Sequence, residues 1–163
     1  MPHRTKAALA VLLAALLVAP AAMAADPGIA RMPLRDFASH AEALLGLSPR
    51  IDPDRLPNML ITLISDREFS RPEWRALHDT VLGLLARHET QSATDAPALQ
   101  LLAVRLPSTA SLADALAAVR PALSEQAETA AAPRAGCLVL RDDATRLEDA
   151  LGRLAPFQPT THK

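Results

Sequence analysis

Apolar residues along this chain follow two rhythms: short unbroken runs, and stripes that recur every three or four positions. The stripe Leu34, Phe37, Ala41, Leu44 and Leu45 predicts a helix over 34–47, ended by Gly46 and Pro49. Residues 48–57 hold three prolines and read as a loop. Residues 58–65 (NMLITLIS) carry no charge and lie between Pro57 and Asp66. Such a run suits a strand buried on both faces, with a buried helix as the competing reading. Ser70, Arg71, Pro72 and Glu73 form a capping box, in which the Glu73 carboxylate can reach back to the Ser70 amide. The helix it opens runs to about His88 and buries Trp74, Leu77, Val81, Leu84 and Leu85.

The same order recurs downstream. After a polar linker over 90–97, residues 98–106 (ALQLLAVRL) form a second candidate strand, stopped by Pro107. Ser108 to Ser111 can cap a helix through Leu112, Leu116, Val119 and Leu123, which Pro121 kinks or ends. Residues 124–135 are alanine-rich and read as a fraying stretch. Residues 136–141 (GCLVLR) are the clearest strand, and Asp142 or Asp143 caps a last helix through Leu147, Leu151 and Leu154. Leu112, Asp114, Ala115, Leu116 and Pro121 reappear as Leu147, Asp149, Ala150, Leu151 and Pro156, and Val104 as Val139. We read this echo as strand, loop and helix written three times. It predicts an α/β domain with a small three-stranded, mostly parallel sheet and helical crossovers, with an all-α bundle as the alternative.

The N-terminal segment sets the address. Arg4 and Lys6 precede the apolar stretch Ala7–Ala19, and Pro20 is followed by the small-x-small pattern Ala22, Met23, Ala24. This is the form of a cleavable secretory signal of bacterial style over 1–24, with the periplasm as its destination. Residues 25–33 then read as a tether, 34–157 as a single domain and 158–163 as a loose tail. No cysteine follows the cut, and no later run is long and apolar enough to span a membrane.

Composition narrows the chemistry. The formal net charge is -1, without the basic stripe of a nucleic-acid binder. Tyr is absent, with three Phe and one Trp, too few rings for a base- or sugar-stacking platform. Five glycines permit neither GxGxxG nor a P-loop, and no GxSxG, CxxC or HExxH can be written. No histidine or cysteine spacing suits a metal, and no cofactor is implied. His40, four residues after Asp36, reads as half of a surface ion pair. Trp74 reads as core, with partner anchoring as its alternative. Cys137, the single thiol, reads as buried and inert, with an intermolecular disulfide as the alternative in an oxidising compartment.

In a parallel sheet, ligands bind beyond the carboxyl ends of the strands. That singles out Asp66, Ser108, Asp142 and Asp143 as candidate ligand-binding residues. Helix capping explains the same residue types without a ligand. No catalytic residue is assigned.

Residues 104–112 (VRLPSTASL), followed by 136–141 (GCLVLR), resemble the thioredoxin-like assembly proteins of conjugative pili. The resemblance implies a thioredoxin-like variant of the fold and a role in envelope assembly for secretion or conjugation, and carries over no residues. The leading expectation is an exported, non-catalytic accessory protein that binds another envelope or periplasmic protein. A small divalent-cation-dependent enzyme built on Asp66, Asp142 and Asp143 is the rival from a different class.

Overall fold

The computed structural model describes residues 29–49, 52, 55–86 and 99–157. The signal segment, the linker over 90–97 and the tail lie outside the described residues. Along the chain come β1 (Ile29–Pro33), α1 (Leu34–Leu45), β2 (Leu60–Ile64), α2 (Arg71–Ala86), β3 (Leu99–Arg105) and α3 (Leu112–Val119). They are followed by β4 (Glu128–Ala132), β5 (Cys137–Asp143) and α4 (Ala144–Leu154). The five strands form one sheet in the order β1-β2-β3-β5-β4.

This corrects the expectation of a three-stranded, mostly parallel sheet, together with its thioredoxin-like and all-α variants. Only β2 and β3 are adjacent and parallel, while β1 runs antiparallel to β2, and β5 antiparallel to both β3 and β4. Two strands account for the change. Ile29–Pro33, read as tether, pairs with β2 along the edge. Glu128–Ala132, read as fraying, is the opposite edge. Alanine and glutamate are poor strand formers, and cross-strand pairing overrides that preference. Glu128 stands opposite Arg141, and its carboxylate accepts from Arg141 Nη1 at 3.0 Å.

A tight turn at Pro133–Ala135 then closes on Gly136, whose φ of 63° lies in the left-handed region that glycine enters without strain. The chain reverses there, and β5 slots between β3 and β4. Three strand–loop–helix units are therefore present, but the third points the opposite way.

The period-2 alternation of β3 and β5 feeds two cores. Leu101, Ala103, Cys137 and Val139 face α1 and α2, in a cluster with Leu34, Phe37, Ile61, Leu77 and Val81. Leu102, Val104, Leu138 and Leu140 face α3 and α4, in a cluster with Ala115, Val119, Leu147, Ala150 and Leu151. The sheet is thus buried on both faces at its centre, which is why these strands read as unbroken apolar runs. The helices end as their residues dictate. Gly46, at φ 65°, closes α1, with Leu47 N donating to the Glu42 carbonyl at 2.9 Å. Leu44, placed on the apolar stripe of α1 by its spacing, is 47% exposed.

Candidate functional site

The candidate residues fall at opposite ends of the sheet. Asp66 and Ser108 follow β2 and β3, and both are exposed. Asp142 and Asp143 end β5, which runs the other way, and pair with Gln100 and Leu99 at the start of β3. About 20 Å of strand separates the two ends at roughly 3.3 Å per residue. Asp66 therefore shares no edge with Asp142 and Asp143, the geometry a joint cation site would need. Among the described residues no group of three or more His, Cys, Asp or Glu could hold a metal ion.

Each aspartate at the far end has a structural task. Asp142 is 2% exposed and anchors the segment after α3. It accepts from Ser124 N at 2.7 Å, Ser124 Oγ at 2.8 Å and the Asp143 amide at 2.9 Å. Asp143 caps α4 by accepting from the Arg146 amide at 2.9 Å. Ser108 lies in a turn closed by Ala110 N on the Pro107 carbonyl, and the α3 cap is Ser111, which accepts from the Asp114 amide.

At the other end sits a polar cluster that spacing alone did not single out. Arg105, in the second apolar run, is 7% exposed. Its Nε donates to the Ala135 carbonyl and its Nη1 to the carbonyls of Arg67 and Glu68 at 3.3 and 3.2 Å. Its Nη2 lies 3.1 Å from Glu73 Oε2, and its guanidinium stacks 3.9 Å over the Phe69 ring. Glu73 also accepts from Arg67 at 2.6 and 3.1 Å and from the Ser70 amide at 2.7 Å. The Arg67 hydrogen bonds, aided by the Ser70 amide and the Arg105 charge, hold the Glu73 carboxyl down to about 2. The capping-box glutamate is thus also the counter-ion of a buried arginine. One charge inside a run of eight apolar or amide residues was the available signal, because a buried arginine demands a partner.

Cys137 sits under this cluster. It is fully buried, its Sγ lies 3.5 Å from the Ala135 carbonyl, and burial pushes the thiol up to about 12. Trp74 touches Phe37, Phe69 and His40 at centroid distances of 5.9, 5.4 and 5.5 Å. Asp36 pairs with Arg35, so the expected His40 ion pair is replaced by an aromatic contact. His78 is fully buried, with its Nε2 and Nδ1 each 3.6 Å from a carboxylate oxygen, of Glu42 and Asp79 respectively.

Among the described residues, two surfaces carry no covering element. A shallow groove along α3 is lined by Ala113, Leu116, Ala117, Arg120 and Pro121. A shelf on β1 and β2 carries Arg31, Leu60, Thr62 and Ile64, all half-buried.

No protein-family model and no curated protein matches the chain. Its fold is similar to solved secretin structures. The XcpQN012 structure aligns with a TM-score of 0.55 at 15% identity, covering 85% of this chain and 69% of that one. A dimeric mutant of the N-terminal domain of the secretin XcpQ from Pseudomonas aeruginosa aligns with a TM-score of 0.50 at 16% identity. It covers 85% of this chain and 64% of that one. At these identities the likeness concerns the fold.

Proposed function

We propose that this chain is an exported periplasmic domain with no catalysis of its own. It acts through protein–protein contacts in the cell envelope, as a docking module of a secretion or envelope-assembly machine. The observation that carries the reading is the fold likeness to the XcpQ structures over 85% of the chain. The signal-like N-terminus supports export. The polar residues at the sheet ends support contact work as well, since Asp142, Asp143 and Glu73 are engaged in holding turns, caps and a buried arginine. No nucleic-acid surface is proposed, given the near-neutral charge.

The test is affinity purification of the tagged chain from the periplasm of its own cells after mild crosslinking, read by mass spectrometry. The expected result is one stoichiometric envelope protein, with the tagged chain in the periplasmic fraction. Recovery from the cytoplasm, or a clean monomer with no partner under crosslinking, overturns the proposal.

A further inference from the structure

The helices α3 and α4 cover only part of their sheet face. Under them Leu102, Val104, Leu138 and Leu140 are at most 5% exposed. On the same face of β2, Leu60, Thr62 and Ile64 remain half-buried, while the alternate residues Ile61 and Leu63 are buried beneath α1 and α2. β1 contributes Arg31 to this shelf, in register with Thr62.

Arg31 differs from the arginines that meet a carboxylate. Arg67 and Arg105 meet Glu73, Arg141 meets Glu128, and Arg35 meets Asp36. Arg31 reaches across β2 to Gln100, with Nη2 3.4 Å from Oε1, and no carboxylate pairs with it among the described residues. Its Nε is buried without a hydrogen-bond partner. That nitrogen is closed to an outside group, but a carboxylate seated on the shelf would neutralise the guanidinium with a charge-assisted bond.

From this geometry we infer that the β1–β2 shelf is the docking surface for an amphipathic helix of another envelope protein, and that this helix carries a glutamate or aspartate within its apolar stripe. The inference rests on the protein-contact reading above and names its surface and the partner's chemistry. Two facts choose the occupant. The shelf is two strands wide, and strands about 4.8 Å apart match one helix about 10 Å across. Among the described residues its one charge is positive and has no carboxylate partner, so a carboxylate is the complement. A second copy of this chain is the poorer fit, because the open apolar groove of α3 carries Arg120 and would set like charges together.

The probes are three synthetic 14-residue amphipathic helices with a leucine–alanine stripe and a central Glu, Gln or Lys. They are titrated against the isotope-labelled full chain and followed by amide shifts. The Glu peptide is expected to move Arg31, Thr62 and Ile64. The Gln and Lys peptides, and Arg31→Gln with the Glu peptide, are expected to bind at least tenfold more weakly. Arg153→Gln, at an exposed position of α4, is the control and leaves binding unchanged. Unperturbed β3–β5 amides certify that Arg31→Gln is folded. Equal binding of the Glu and Gln peptides, no binding by any of them, or shifts confined to α3 overturns the inference. So does an Arg31-dependent dimer in sedimentation, which would make a second copy the occupant. A photo-crosslinker placed in turn at Thr62, Ala117 and Arg153 separates this inference from the broader reading. Adducts at Ala117 or Arg153 without one at Thr62 sink only the shelf, and none at any position sinks both.

Discussion

Glu73→Gln removes one charge and little else. Glutamine keeps the shape of the side chain and can still accept the Ser70 amide, which holds the first turn of α2. It cannot neutralise Arg105, whose side chain is 4% exposed beneath Phe69. Two routes give the magnitude. A carboxyl held at about 2 against an ordinary 4.5 is stabilised as the anion by about 3 kcal/mol. Stripping one partner from a buried ion pair costs about 3–5 kcal/mol. Part of the first figure comes from Arg67, whose exposed side chain is screened by solvent, so the expected loss is about 2–3 kcal/mol. Urea unfolding at pH 7 reads this loss directly. The pH dependence gives a second reading. The carboxyl is lower in the folded than in the unfolded state, so its stabilisation is complete above 4.5 and drains as pH falls toward 2. Stability of the unaltered protein should fall steeply through that window. The Glu73→Gln curve should be flatter there, and the two should approach one another near the acid end. A loss under about 0.5 kcal/mol at pH 7, the scale of an ordinary surface change, would refute the argument. So would an undiminished acid slope.

Four further outcomes follow from the geometry. Asp142→Ala should cost about 2–3 kcal/mol by leaving the Ser124 and Asp143 amides without their acceptor, and a double-mutant cycle with Ser124→Ala should show coupling of about 1 kcal/mol. Alanine at exposed Asp66 or Ser108 should change stability by less than about 0.5 kcal/mol. Millimolar magnesium or calcium should leave the melting temperature unmoved, because these residues share no edge with Asp142. Cys137, with its thiol pushed up to about 12, should react with a thiol reagent only at the rate of unfolding, so labelling at pH 8 faster than global opening would contradict its burial.

What the sequence by itself determined was local. The spacing of Leu77, Val81, Leu84 and Leu85 sufficed for α2, and the charge-free run before Asp66 favoured a strand at β2 over a buried helix. Ser70 with Glu73 marked a helix start, and the pair Asp142 and Asp143 marked another without saying which of them caps. In each case a side chain meets groups within a few positions, so the period of apolar residues and the supply of caps carry the information. Tertiary structure alone decided the direction of β5 and the membership of β1 and β4. Ala130 and Ala131 have little preference for a strand and become one because β5 offers its edge. The reversal at Gly136 sends Asp142 and Asp143 to the end of the sheet away from Asp66, so residues alike in sequence context came apart in space. It also sets Arg105 over Cys137 and the carbonyl of Ala135, some thirty positions away. Burial of an arginine makes a distant glutamate necessary, and no local pattern says which glutamate. Pairing between remote segments rests on the energy of the assembled sheet, and that quantity appears only once every strand has its neighbour.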